Sequence, residues 1–222
     1  MCNSNECWYR EVCSGYGEDC QRSCVRYHEM KFLMDNSNIP QTKRKPIALY
    51  PSECDLHAFK RLAEIKGNIV DFVEEGRNLY ICSNINGNGK SSWALKILMK
   101  YFDRVWDGNG FIPRGIIIHV PTFLIKCKDF KNTDAEFEEL KRRLLEVDLV
   151  VWDDIAGVAL SSYDYSQLLV SLDAREFSGL SNIYTSNITS REALESAVGA
   201  KLVSRIWGSK TEIIEFKGGD RR

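Results

Sequence analysis

The 222-residue sequence has no apolar run near the roughly 18 residues that cross a bilayer, which argues against a membrane-spanning helix. It also lacks an excess of either charge: 30 Lys and Arg stand against 31 Asp and Glu. Net charge therefore gives no sign of a nucleic-acid partner, and any DNA contact needs a local patch. The first residues, Met1 to Glu6, lack the basic and then apolar regions of a secretory signal, so the chain reads as soluble and cytoplasmic. Proline is scarce, and three of the five fall within 35–51. What remains is an ordinary globular composition, 44% hydrophobic and 27% charged, long enough for one α/β core and a small appendage.

Three segments follow from the pattern. Residues 1–34 are dense in cysteine and aromatics, with a short helix expected around Val25, Met30, Phe32 and Leu33. Residues 35–54 read as a polar linker carrying the basic cluster Lys43-Arg44-Lys45. Residues 55–222 form the main domain, opening with an amphipathic helix over 56–72 (Leu56, Phe59, Leu62, Ile65, Ile69, Phe72). Five apolar runs then alternate with helical patterns: 79–82, 115–120, 149–152, 182–185 and 212–216. Near-continuous runs suit strands covered on both faces, so a doubly wound α/β domain with a five-stranded, mostly parallel sheet is expected. Capping boxes are read at Thr133–Glu136 and Thr189–Glu192, with Gly199 stopping the second helix.

The loop Asn84, Ile85, Asn86, Gly87, Asn88, Gly89, Lys90, Ser91, Ser92 ends as a phosphate-binding loop should, in Gly-Lys-Ser. Asn84 stands where the first glycine belongs, and asparagine tolerates positive φ better than other side chains. Backbone N–H groups at the start of the helix from Lys90 would face the phosphates of ATP. Lys90 would meet the β and γ phosphates, and the Ser91 hydroxyl would ligate Mg²⁺. The alternative is a Gly/Asn-rich turn ahead of a surface helix. A second motif weighs against it: the apolar strand Leu149–Trp152 ends in Asp153-Asp154, far enough downstream for a helix, a strand and another helix. Asp153 would hold Mg²⁺ and Asp154 polarise the attacking water. Asn187, at the end of the next strand, is a candidate to orient that water, with an Asx turn as its plain alternative.

A front segment of this size cannot build its own core and needs a staple. Disulfides are disfavoured in the cytosol, which leaves zinc held by Cys7, Cys13, Cys20 and Cys24, with His28 or Cys2 as substitutes. Free thiols, a redox role and an iron–sulfur cluster are the alternatives. Cys54, Cys82 and Cys127 are read as small buried hydrophobes.

With these residues placed, the chain resembles the AAA+ helicase loaders of the DnaC/DnaI type, particularly short phage or mobile-element relatives. The likeness covers 55–222 and is carried by SNINGNGKSSWA, LVVWDDI, YTSN and the tail VGAKLVSRIWGSKTEIIEFKGGDRR. It implies an AAA+ P-loop NTPase core, weak Mg-dependent ATPase activity and self-assembly on a DnaB-type helicase ring. It also implies contact with single-stranded DNA during replication initiation. By the same likeness Arg205 matches the arginine finger that completes a neighbouring subunit's site, and Arg222, or Arg221, matches a nucleotide-state sensor. Lys201 falls at a second position that is often basic. The DnaI kind carries an N-terminal zinc module that docks on the helicase, which would be 1–34 here, with Trp8, Tyr9, Tyr16 and Tyr27 as anchors. The sequence stops soon after Phe216, so no helical lid is expected and the site would depend on a partner subunit. Asp154 replaces the glutamate of many relatives, which suggests slow hydrolysis.

Two other functions fit the same core. One is an IstB-like transposition helper acting on duplex DNA; the other is a regulator that binds a helicase without hydrolysing ATP. Lys126, Lys128, Lys131 and Lys141–Arg143 are candidate DNA contacts, against a solvated helix face.

Overall fold

The apolar runs form strands within about a residue of their expected bounds: β1 Asn78–Cys82, β2 Gly115–His119, β3 Leu149–Asp153, β4 Ser181–Ser186 and β5 Thr211–Glu215. They make one parallel sheet in the order β2-β3-β4-β1-β5. The computed structural model describes Cys7, Cys13, Cys20 and residues 24–44, 48–105, 110–129 and 135–219. The helices are α1 Val25–Asp35, α2 Leu56–Gly67, α3 Ile69–Glu74, α4 Lys90–Val105 and α5 Val120–Lys128. They continue with α6 Ala135–Glu146, α7 Ser162–Phe177, α8 Arg191–Val198 and α9 Ala200–Ile206. No described helix is long and apolar enough to cross a membrane.

Alternation along the strands sorts side chains to two faces. Leu79, Ile81, Ile117, Leu149, Val151 and Ile183 join a core with α1 to α4, including Met30, Leu62, Trp93 and Leu98. Tyr80, Cys82, Ile116, Ile118, Val150, Trp152 and Tyr184 face the other way, against residues of α5 to α9. Both faces are covered, which explains the near-continuous apolar runs. The sheet edges are also managed. On β5, Glu212 pairs with Arg61 and Arg77. Along β2, the Ile117 N–H donates to Ser37 O at 2.9 Å, and Asn38 Nδ2 donates to Ile117 O at 2.9 Å.

That edge contact revises the expected linker. Between Asn36 and Arg44 the chain is docked on β2, with Ile39 buried. The Arg44 guanidinium donates to Ile39 O and pairs with Asp35, closing the segment on itself. The front helix is not set apart either: Met30, Leu33 and Met34 of α1 belong to the main core, and Arg26 pairs with Asp103 of α4.

Two local expectations are corrected. The single helix over 56–72 is two, broken at Asn68 (φ −109°, ψ 33°). Gly67 and Asn68 are poor helix formers, while Ile65 and Ile69 keep the apolar phase across the break and hide it. The helix stopped by Gly199 is capped by Ser190, whose Oγ accepts from Ala193 N–H, rather than by Thr189. The complete capping box is Ser161 with Asp164, at the start of α7. The box read at Thr133–Glu136 begins on residues outside those described.

The zinc site is also not supported. Among the described residues, no group of three or more His, Cys, Asp or Glu side chains is placed to hold a metal ion. Cys7, Cys13, Cys20 and Cys24 are half-buried, and Cys7 and Cys13 pack against the core cluster of α1 and α4 as small hydrophobes do. Cys2, Trp8, Tyr9 and Tyr16 lie outside the described residues. Of the other three cysteines, Cys82 and Cys127 are buried as expected, but Cys54 is exposed beside Ser52.

Candidate functional site

In a parallel α/β sheet the carboxyl ends of the strands share one edge, where ligands bind. Here the ends of β1, β3 and β4 bring their polar residues to one cleft of about 520 Å³. That is within the roughly 300–1,000 Å³ usual for small-molecule sites.

Beyond β1 the loop is built on Ser83, which is fully buried. Its N–H donates to Ser186 O at 3.2 Å, tying β1 to the end of β4. Its hydroxyl accepts from Ile85 N–H at 3.1 Å and from Asn88 Nδ2. The left-handed positions are Gly87 (φ 75°) and Gly89 (φ 100°). Asn84 is not among the positive-φ residues and its side chain is exposed, so its place in the pattern needs no special backbone tolerance. The Gly89 carbonyl accepts from Trp93 N–H at 2.9 Å and starts α4. Trp93, Ile97, Leu98 and Tyr101 then seat that helix on the sheet. Lys90 curls into the loop, with Nζ 3.0 Å from Ile85 O and 3.4 Å from both Ser83 O and Asn88 Oδ1.

At the end of β3, Asp153 and Asp154 are half-buried and both line the cleft. Thr185 of β4 organises the pair. Its hydroxyl donates to Asp153 Oδ1 at 2.7 Å and accepts the Asp154 N–H at 3.0 Å. Its carbonyl takes the Ile155 N–H at 3.0 Å. Asp154 has φ 61°, a region open to Asp and Asn more than to longer side chains, so the aspartate suits its backbone. Its carboxylate lies over Gly157, where a Cβ would stand 2.0 Å from Oδ2.

Asn86, Gly87, Asn88, Gly89, Lys90, Ser91, Ser92, Asp153, Asp154 and Asn187 all line the one cleft. Asn84 and Ile85 of the loop do not line it. Ser91 and Asp153 bring oxygen donors to one side, a set suited to a hard cation such as Mg²⁺. Cys82, just before the loop, is no nucleophile: burial and the nearby Glu215 push its thiol up to about 12. Arg205 lies elsewhere, on α9, held by Asp173 and by Glu176 (2.8 Å) of α7. Arg222 and Arg221 are outside the described residues.

Sequence reasoning assigned no role to Thr185, Ser186, Lys43 and His119, which line the cleft, or to Ser83 and Gly157, which support it. Ser83 and Thr185 fall inside SNINGNGKSSWA and YTSN, but nothing in those strings marks them above their neighbours. Those of the basic residues suggested for DNA that are described make contacts within the fold. Lys128 pairs with Asp164 (2.7 Å), Lys141 with Glu138 (2.5 Å), Arg142 with Glu139 and Glu146, and Arg143 with Glu139. Lys126 stands over the Phe137 ring, and Lys131 is not among the described residues.

No protein-family model matches the sequence, and no curated protein matches it. Solved structures do. The DnaC helicase loader superposes with a TM-score of 0.61 at 18% identity, covering 84% of this chain and 99% of that one. DnaI gives a TM-score of 0.62 at 18% identity, covering 83% and 94%. The replication initiator DnaA bound to AMPPCP and single-stranded DNA gives 0.56 at 18% identity, covering 86% and 52%. The chain has the fold shared by the DnaC and DnaI helicase loaders and by DnaA.

Proposed function

We propose that this chain is an ATP-controlled loader of a DnaB-type replicative helicase onto single-stranded DNA, with slow ATP hydrolysis as its switch. The carrying observation is the convergence of Lys90, Ser91, Asp153, Asp154 and Asn187 on one cleft. They converge in a fold that matches the DnaC loader over nearly its whole length.

The division of labour follows from the chemistry of each group. Lys90 leaves the loop carbonyls for the β and γ phosphates of ATP. The Ser91 hydroxyl and Asp153 would hold Mg²⁺, which when bound draws charge from the phosphates. Thr185 fixes the orientation of Asp153. Asp154 takes the proton of the attacking water, and Asn187 orients that water or touches the terminal phosphate. Arg205 does not line its own cleft, which suits a finger offered to a neighbouring copy once freed from Asp173 and Glu176. A homo-oligomer on the helicase ring follows, with Arg222 or Arg221 as the expected sensor of nucleotide state. Turnover by the isolated chain is then low.

Co-purification with the host DnaB-type helicase, with and without ATP, tests this reading. An ATP-dependent complex is expected. Absence of a complex under both conditions rejects the loader and leaves an ATPase of another role. A complex without turnover, even with single-stranded DNA present, makes the chain a non-hydrolysing regulator. Tight duplex-DNA binding with no helicase complex favours the transposition helper.

A further inference from the structure

We infer that Lys43 is a terminal-phosphate ligand supplied by the chain to its own site, so that the docked 36–44 segment distinguishes ATP from ADP. The inference rests on the nucleotide reading of the cleft and extends it to a residue outside the loop and strand-end motifs.

Lys43 lines the cleft with the phosphate loop and the two aspartates. It also lines an adjoining cavity of about 790 Å³. The overlap of the two locates it. The second cavity shares Ser91, Ser92, His119 and Asp153 with the cleft, but not Gly87, Gly89 or Lys90. Lys43 thus stands on the side marked by the Ser91 hydroxyl and the Asp153 carboxylate. That is the side where a magnesium ion and the terminal phosphate belong, and ADP leaves it without that phosphate.

The charge is available. Among the described residues the Lys43 ammonium makes no ion pair and no hydrogen bond, and its side chain is exposed. Its neighbour Arg44, by contrast, is committed to Ile39 O and Asp35.

The base of the side chain is held. Lys43 ends a single helical turn, Gln41–Lys43, with its N–H on Pro40 O at 2.8 Å. That turn follows the anchors of Ser37 and Asn38 on β2 and the buried Ile39. A flexible lysine on a fixed backbone can reach a phosphate as a point charge without reorganising the segment. Because the segment runs directly from α1, a phosphate contact at Lys43 would tie the front helix to the nucleotide state.

The test is calorimetric titration of the full chain with AMPPCP and with ADP, each with Mg²⁺, for the wild type, Lys43→Gln and Lys43→Arg. Loss of one charge-assisted contact is expected to weaken AMPPCP binding about tenfold in Lys43→Gln while ADP binding changes less than twofold. Lys43→Arg should keep most of the discrimination. Amide exchange over 37–44 should slow with AMPPCP and not with ADP, and Lys43→Gln should lose that difference. Equal weakening of both nucleotides, or no weakening, overturns the role of Lys43 and leaves the nucleotide site intact. A wild-type chain that binds neither nucleotide overturns both.

Discussion

Thr185 donates its hydroxyl hydrogen to Asp153 across neighbouring strands at 2.7 Å, and the same oxygen accepts the Asp154 N–H. One buried hydroxyl therefore sets the angle of one carboxylate and the backbone of the next. Thr185→Val keeps the shape and removes both bonds. It leaves the Asp154 N–H without that acceptor, so a stability loss of about 1–3 kcal/mol is expected. ATP turnover should fall about tenfold, since a slight misplacement of a reacting group costs that much or more. Thr185→Ser should restore both. Chemical denaturation and steady-state turnover read the two effects; unchanged turnover in the valine variant would remove Thr185 from the site.

Gly157 offers a sharper separation of binding from chemistry. A methyl group there would overlap the Asp154 carboxylate, at 2.0 Å from Oδ2 and 2.4 Å from Cγ. Gly157→Ala must turn that side chain away and is expected to abolish turnover. Nucleotide affinity, set by the loop and Asp153, should change less than about threefold. Binding and turnover measured on one preparation decide the matter.

At the opposite end of the sheet, Arg175 is a buried cation surrounded by acceptors. It donates to Asn182 Oδ1 (2.7 Å), Leu144 O (2.8 Å), Val147 O (2.9 Å) and Ser181 O (2.7 Å), binding the end of α6 to β4. Arg175→Met removes all four of those bonds, although Asn182 Oδ1 keeps the Trp152 Nε1 donor. A loss of about 3 kcal/mol or more is expected. For a chain of this size that lowers Tm by roughly 6–12 °C. Because Arg175 is remote from the cleft, nucleotide affinity measured below the transition should be unchanged.

Asp164 gives the fold a pH dependence. Burial alone would raise its pKa, but the Lys128 ammonium and the Ser161 hydroxyl and N–H together hold it below the usual carboxylate range. A depressed folded-state pKa stabilises the fold fully above the unfolded value of about 3.9, and the contribution fades as pH falls through the lower folded value. The Tm gap between wild type and Asp164→Ala should therefore be constant above about pH 5 and shrink below about pH 4. Thermal melts across that range check it, and a gap that widens on acidification would refute the assignment.

The parts of this molecule that were legible in the sequence are those with a local signature. Five apolar runs announced five buried strands, and Gly89-Lys90-Ser91 and Asp153-Asp154 announced the two sides of one cleft. Long-range pairings left no such mark. The bond from Thr185 to Asp153 joins residues 32 positions apart, and the docking of Ser37 and Asn38 on Ile117 spans about twice that or more. Polar composition made 35–54 resemble a tether because an edge strand offers backbone partners, which need no apolar pattern to be met. Cysteine spacing is equally mute: it does not distinguish thiols gathered on a metal from thiols packed on a core, and Cys7 and Cys13 are packed against the core.

The central claim is that the cleft between Ser83 and Asn187 is an ATP site, and titration of the chain with Mg-ATP tests it most directly, with Lys90→Ala alongside. Lys90 Nζ bonds Ser83, Ile85 and Asn88 of its own loop, and a thermal melt of Lys90→Ala beside the titration separates lost binding from lost fold. Saturable one-to-one binding by the wild type is expected, weakened at least about tenfold in Lys90→Ala. No saturable binding by the wild type, or equal affinity in the two proteins, would contradict the account.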